Sequence, residues 1–141
     1  MGINDVIDAI AVKLHDTFGD GYTIYDEAVP QNLKEPAFFI FPLEPSLTKV
    51  IGNRYLNTLP FDIHYFGSSN RDAYTVLEQL NTEMEFIICS NGDLLHGTNM
   101  SSHLEDGVLH FFVNYNFHVI KVTEQEESMD GLSIDGSIRG E

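Results

Sequence analysis

The six histidines of this chain are its most versatile chemical groups, because imidazole binds metals and transfers protons near neutral pH. Two of them face each other in a predicted β-hairpin. Its strands run from Leu94 to Glu105 and from Val108 to Val122, and the turn Asp106-Gly107 joins them. Counting outward from that turn places His103 opposite His110 on the solvent side, where both rings can reach one ion. No HExxH, HxxEH or cysteine-containing motif supplies a third ligand. We therefore predict surface histidines, no metal and no cofactor.

The other candidate catalytic groups also lack partners in the sequence. Cys89 has no identifiable base and is predicted to end a helical stripe, which favours a buried small hydrophobe. Glu83 and Glu85 are typical of a solvated helix face, and no glycine-rich phosphate-binding motif is present. We predict no catalytic residue and no enzyme. A metal-dependent enzyme using His103 and His110 is the least favoured alternative.

Two amphipathic helices are predicted from apolar residues at three- and four-residue spacings. The first spans Ile3 to Phe18, with Asn4 as a possible N-cap and Gly19-Asp20-Gly21 as its stop. The second opens with Ser69 and Asp72 in capping-box positions. Its predicted buried stripe is Tyr74, Leu77, Leu80, Met84, Ile87 and Ile88, and Asn91-Gly92 ends it.

Four further stretches have the residue types of β-strands. Tyr22 to Val29 is predicted as a short or edge strand closed by Pro30, and Ala37 to Phe41 as a strand covered on both faces. Leu47 to Ile51 and Tyr55 to Phe66 predict a hairpin around Gly52-Asn53-Arg54. Together with the final hairpin, these elements predict an α+β fold in which two helices pack on a largely antiparallel sheet.

Composition limits the domain count and the partners. The 141 residues predict one domain over residues 1–122, followed by an acidic, flexible tail over 123–141. Twenty-two acidic against seven basic residues give a net charge of −15, which excludes gripping a nucleic-acid backbone as the main activity. One cysteine and no membrane-length apolar run predict a chain that stays in a reducing compartment, away from membranes.

Several segments, taken in their order along the chain, resemble those of a known protein family. No single motif carries this resemblance. The stretches are NDVIDAIAVKLHDTFGDGYTIYDE, KEPAFFI, IGNRYLNTLPFDIHYF and GVLHFFVNYNFHV, and the most specific piece runs from Gly52 to Leu56 and on to Pro60-Phe61. They resemble the small tail terminator, or tail-to-head joining, proteins of long-tailed phages and prophages of Gram-positive bacteria. The resemblance covers residues 3 to 122 and does not include the acidic tail.

This resemblance implies a structural virion protein. It implies an α+β protomer that closes into a hexameric ring, caps the tail tube, stops its polymerisation and joins tail to head. The implied partners are further copies of the chain, the tail-tube protein and the head-completion protein, with assembly in the bacterial cytoplasm and a final place at the head-proximal end of the tail. DNA would pass the acidic channel wall without specific binding. The alternative from a different class is a non-viral cytosolic protein-interaction module.

Subunit contacts are predicted from charge and from aromatic residues in the polar phase of strands. Cations are scarce, and two of them, Lys49 and Arg54, flank the turn of the first hairpin. Phe66 and Phe112 fall in the polar phase of their strands, which is typical of a surface covered by another subunit. The predicted interface residues are Lys49, Asn53, Arg54, Tyr55, Phe66 and Phe112.

Overall fold

The computed structural model describes residues 2–27 and 31–122. The predicted tail over 123–141, and Val29 and Pro30 at the end of the first predicted strand, lie outside the described residues. The elements in chain order are α1 Ile3–Phe18, β1 Thr23–Tyr25, β2 Ala37–Pro42, β3 Ser46–Ile51, β4 Arg54–Phe66, α2 Asn70–Glu83, β5 Phe86–Ile88, β6 Leu94–Glu105 and β7 Val108–Ile120.

Helix α1 has the predicted bounds but a different cap. Gly2, not Asn4, is the N-cap, and its backbone N–H donates to the Asp5 carboxylate over 2.9 Å. An acidic side chain in the first turn also complements the positive end of the helix dipole. At the other end Gly19 has a φ of +92°, a value that favours glycine, and the helix stops there.

Helix α2 ends earlier than its apolar pattern predicts. Ser69 is its N-cap, and the Ser69 Oγ accepts a 3.1 Å bond from the Asp72 N–H. The predicted stripe is wrong in two places: Tyr74 is exposed, and Ile87 and Ile88 belong to β5. The buried face consists of Ala73, Val76 and Leu80.

The sheet is mixed rather than largely antiparallel, although the α+β class is confirmed. Its order is β1-β2-β4-β7-β6-β5, and β3 pairs with β4 on the same side as β2. The exception to antiparallel pairing is β1, which runs parallel to β2 with Thr23 beside Ala37. The reason is the long connection over residues 26–36, because a connection of this length can return the chain to the same end of the sheet.

Both helices contribute to one hydrophobic core on a single face of this sheet. Residues of β7 alternate as predicted, with Leu109, Phe111, Val113, Tyr115 and Phe117 on the buried side. None of the helices in the described part of the chain is long and apolar enough to cross a membrane.

A close junction ties this core to the segment after α2. The Tyr115 hydroxyl donates to the Met84 carbonyl over 2.6 Å, and the Gly97 N–H donates to the Glu85 carbonyl over 2.6 Å. Because Gly97 has no side chain, β6 can approach this segment closely. A Cβ built on Gly97 would lie 2.7 Å from the Met84 carbonyl oxygen, closer than real Cβ atoms come.

Beyond the core, the sheet continues as a narrower extension that we call the arm. The arm consists of β3, residues 54–58 of β4 and residues 116–120 of β7. All six residues of β3 are exposed. The turn contains Gly52, at a φ of +55°, and Asn53, while Arg54 begins β4 instead of lying in the turn.

Pro60 lies in β4 where the arm meets the rest of the sheet. On the side of β4 that carries β2 and β3, the pairing with β2 ends at Phe61 and the pairing with β3 begins at Thr58. The Leu43 N–H, directly after β2, donates to the Pro60 carbonyl over 2.9 Å, so the gap between the two neighbouring strands is at Leu59. Pro60 lacks an N–H and is tolerated in a central strand here, because the regular pairing with β2 has already ended.

Candidate functional site

Three ligand-type side chains converge on the face of the sheet away from the helices. Asp62 and His64 lie two residues apart on β4, and His110 is the cross-strand neighbour of His64 on β7. Asp62 Oδ2 lies 2.9 Å from His64 Nε2 and 3.2 Å from His110 Nδ1. One ligand atom from each residue lies within 4.8 Å of the others. We call these three residues the Asp-His-His cluster.

Asp62, the carboxylate of this cluster, is a charged side chain buried within the central strands of the sheet. Asp62 is 8% exposed, and its Oδ2 takes both imidazole contacts. Its Oδ1 is buried and has no hydrogen-bond partner among the described residues. Burying a carboxylate costs free energy unless it is paired with a charge and both oxygens accept hydrogen bonds. In Asp62, the desolvation of Oδ1 is not offset by a hydrogen bond to any described residue.

Aromatic rings surround the cluster on the same face. Phe41 and Phe112 are the cross-strand neighbours of Asp62, and the Phe41 ring centre lies 4.6 Å from that of His64. The two histidine rings contact each other edge to face at 4.1 Å. Phe66 lies further along β4, with its ring centre 6.3 Å from His64. The apolar surroundings lower the local dielectric and strengthen any charge interaction within the cluster.

The structure brings together a different set of histidines from the one predicted. The register places His103 opposite His110, as the turn predicts, but their ring centres lie 6.3 Å apart and His103 pairs with Glu105. The second and third ligand-type groups, His64 and Asp62, come from β4. The sequence did not reveal that β4 pairs with β7, because no local motif encodes which strands become neighbours in the sheet.

The other histidines have separate local environments. His15 lies 2.6 Å from Asp20 at the end of α1, and this hydrogen bond, followed by the charge of Asp20, raises the pKa of His15. His96 lies 3.3 Å from Glu85, and His118 is exposed on β7. None of these three belongs to the Asp-His-His cluster.

A cleft of about 320 Å³ lies where β1, β2, β4 and the start of α2 meet. Its central groups are Tyr65 and Asp72, whose hydroxyl and carboxylate form a 2.6 Å hydrogen bond. Burial, followed by this bond, raises the pKa of Tyr65. Asp72 also accepts from the Ser68 N–H, so the same carboxylate fixes the approach to α2. These contacts give Asp72 a structural role.

Cys89 is buried, as predicted, although it follows β5 instead of ending a helix. Burial is the largest cause that raises the pKa of its thiol, and the charges of Asp5 and Asp93 act in the same direction. A raised pKa leaves little thiolate at neutral pH, whereas a nucleophilic cysteine needs the thiolate.

We therefore expect Cys89 to react slowly with a thiol reagent in the native protein. At pH 7 the rate should be on the order of 100-fold or more below the rate in denaturant, because reaction requires the native structure to open. Absorbance of the released chromophore measures both rates on the same sample. Equal rates with and without denaturant would show that the thiol is accessible in the folded chain.

The predicted interface residues fall into two groups. Lys49, Asn53, Arg54 and Tyr55 lie together on the arm, where the Lys121 Nζ lies 4.6 Å from the centre of the Tyr55 ring and the Lys121 N–H donates to the Asn53 carbonyl. Phe66 and Phe112 lie instead beside the Asp-His-His cluster, each half-buried. The structure does not bring the six residues together on one surface.

The decisive comparison covers most of the chain. A family model described as phage tail terminator protein matches residues 5–127. The chain belongs to this phage tail terminator family. Tail terminator proteins are components of the virion tail, and the family is structural, not enzymatic. No curated protein matches the chain closely enough to count as a relative.

Membership in the tail terminator family changes which features of the surface matter. A structural tail protein acts through the surfaces that it presents to other protein chains. The exposed arm is one such surface.

Proposed function

We propose that the chain closes into a hexameric ring that caps the tail tube at its head-proximal end, stops tube polymerisation and joins tail to head. The ring contact is head to tail: the arm of one copy docks on the β5 edge of the sheet of the next. The observation that carries this proposal is the arm itself, an exposed apolar extension outside the core. The six-fold number comes from the resemblance, and the exposed apolar surfaces described below support the proposed contact.

The arm has the composition of a contact surface. Leu47, Val50 and Ile51 are exposed apolar residues on it, and Ile51 is 72% exposed. Among the described residues, β3 pairs only with β4, and a strand paired along one edge presents unpaired backbone groups along the other. The cations Lys49 and Arg54 lie on the same arm. The arm is thus apolar and basic on a strongly acidic protein.

The β5 edge of the sheet, across from β3, has complementary properties. Ile88 is 63% exposed, and its cross-strand neighbour Leu94 is 60% exposed. With Val12 of α1, these residues form what we call the end patch. A pocket of about 130 Å³ beside it is lined by Ala9, Val12, Lys13, Asp16 and Ile88, so it carries one cation and one carboxylate. Lys13 forms an ion pair with Glu83 of α2 over 3.7 Å. The apolar side chains suit the apolar part of the arm, and Asp16 offers a carboxylate to one of its cations.

Head-to-tail contacts between two different surfaces generate closed rings or open filaments. Six copies would carry about −90 charges without bound ions, so like-charge repulsion opposes closure. In the proposed contact, Asp16 beside the end patch pairs with a cation of the arm, which offsets part of this repulsion where copies touch. The remaining acidic surface suits a channel that DNA passes without binding, because it offers few cations to phosphate.

The native mass of the purified chain, alone and with the tail-tube protein, tests the proposal. We expect a discrete six-copy species in at least one of these conditions, measured by light scattering or native mass spectrometry. A chain that stays monomeric in both conditions, or that forms filaments without end, would overturn ring closure.

Replacing Arg54 by glutamate tests the charge part of the contact. We expect Arg54→Glu to fold normally, because Arg54 is exposed, and to weaken the ring by removing one pairing and adding one repulsion at each contact. Arg71→Glu is the matched control, since it makes the same change of charge at an exposed position on α2. Circular dichroism checks the fold, and light scattering at several salt concentrations follows assembly.

The loss of ring should be larger in Arg54→Glu than in Arg71→Glu, and the difference should shrink as salt screens the charges. If the two variants assemble equally at low salt, the assignment of Arg54 to the contact is wrong.

A further inference from the structure

We propose that the Asp-His-His cluster binds one divalent transition-metal ion of the zinc, cobalt or nickel type, which cross-links β4 to β7. The proposal revises the expectation of no metal, which depended on the lack of a third ligand. It is independent of the proposed ring, because all three ligands belong to one copy of the chain.

The geometry needs little rearrangement. Four-coordinate zinc with bonds of about 2.0–2.1 Å holds neighbouring ligand atoms about 3.4 Å apart. Asp62 Oδ2 already lies 2.9 Å from His64 Nε2 and 3.2 Å from His110 Nδ1. To ligate, each imidazole presents the lone pair of that nitrogen, and its proton moves to the other ring nitrogen or to solvent. Side-chain rotations that also bring the two imidazole nitrogens, which lie within 4.8 Å of each other, to about 3.4 Å then place the three atoms around one ion.

Burial supplies a second, independent argument. Asp62 Oδ1 is buried without a hydrogen-bond partner among the described residues, in a residue that is 8% exposed. An isolated buried carboxylate oxygen is costly, and a bound cation compensates the charge of the whole group. The overall charge of −15 adds a field that concentrates cations around the protein.

The donor set selects the class of ion. Two imidazole nitrogens and one carboxylate oxygen suit zinc, cobalt and nickel, whereas calcium and magnesium prefer sites made of oxygen. Three protein ligands leave at least one coordination position for water. The nearby His103 has its ring centre 6.3 Å from that of His110 and is exposed. Its exposure and its pairing with Glu105 make it dispensable for the site.

The site is expected to be structural. It joins the two strands that form the middle of the sheet, and it lies among Phe41, Phe66 and Phe112. An ion that binds the native chain and not the unfolded one stabilises the fold in proportion to the logarithm of its concentration.

The test uses the untagged full chain, stripped with a chelator and then titrated with Co²⁺ or Zn²⁺. We expect one ion per chain, a visible absorption band for Co²⁺ and a melting midpoint that rises with Zn²⁺ concentration. His64→Asn can still donate a hydrogen bond to Asp62 but removes a ligand, and we expect it to lower affinity by more than the 10- to 100-fold typical of outer-shell changes.

His118→Ala is the matched control, because it removes an exposed histidine of β7 outside the cluster. It should bind within about threefold of the parent. If His64→Asn does not fold, as judged by circular dichroism, His110→Gln takes its place with the same expected loss. The proposal is overturned if the parent chain binds no stoichiometric ion, or if the folded cluster variant binds as tightly as the parent.

Discussion

Mixing two assembly-defective variants is expected to give a dimer and nothing larger. The first, Val50→Ser with Ile51→Ser, has a damaged arm and an intact end patch. The second, Ile88→Ser with Leu94→Ser, has the reverse. A mixture of the two contains one functional arm and one functional end patch that can meet, so it forms one contact and then stops. This outcome follows only from a head-to-tail contact between two different surfaces.

Each double variant alone should fail to form the ring. Loss of two apolar side chains weakens each contact by about 2–4 kcal/mol, roughly 30- to 1000-fold in affinity. The fold should be kept within about 0.5 kcal/mol per site, since surface substitutions away from special features change stability little and all four residues are exposed. Native mass spectrometry under the conditions in which the parent assembles reports each species directly.

Tyr74→Ser is the control for loss of exposed apolar surface as such. Tyr74 is 52% exposed on α2, away from both surfaces, so this variant should assemble like the parent. Rings from the mixture, or from the arm variant alone, would contradict the head-to-tail contact. Dimers from the end-patch variant alone would indicate that the arm pairs with another arm.

The second large effect is expected at Gly97. A Gly97→Ala side chain would lie 2.7 Å from the Met84 carbonyl oxygen and 2.8 Å from Val113 Cγ2, and the first of these is a backbone atom that cannot move aside cheaply. We expect a loss of about 2–3 kcal/mol in the free energy of unfolding. The melting midpoint should then fall by roughly 6–12 °C.

Gly21→Ala is the matched control, because a Cβ at Gly21 meets nothing within 4 Å and its backbone does not require glycine. Its free energy of unfolding should stay within about 0.5 kcal/mol of the parent value. Chemical denaturation of both variants measures the difference. A Gly97→Ala chain as stable as Gly21→Ala would show that the junction between β6 and the Met84 segment is not rigid.

Much of the fold was predictable because local signals and tertiary packing agree. Alternation in Val108–Ile120 and the turn at Asp106 and Gly107, with φ of +52° and +78°, place His103 opposite His110 as predicted. Where they disagree, the prediction was wrong. Ile87 and Ile88 continue the helical spacing of α2, yet packing against β6 places them in a strand.

The candidate site could not be predicted from the sequence, for a different reason. Its ligands come from β4 and β7, which are separated by α2, β5 and β6 in the chain but are direct neighbours in the sheet. The sequence shows the polar phase of each strand, and so it places Asp62, His64 and His110 on polar faces. It does not show which strands meet. The exposure of β3 is hidden in the same way, because its apolar residues resemble those of any buried strand.

The gap beside Pro60 gives β4 a mechanical role. One strand of thirteen residues carries both the arm and the centre of the core, and its pairing on one side is interrupted at Leu59, between Thr58 and Pro60. Bending at this point would tilt the arm as a unit while the core stays rigid. In the proposed ring, that tilt sets the angle between successive copies. The curvature of the assembly is then determined within a single continuous strand, and no flexible linker between domains is needed to close it.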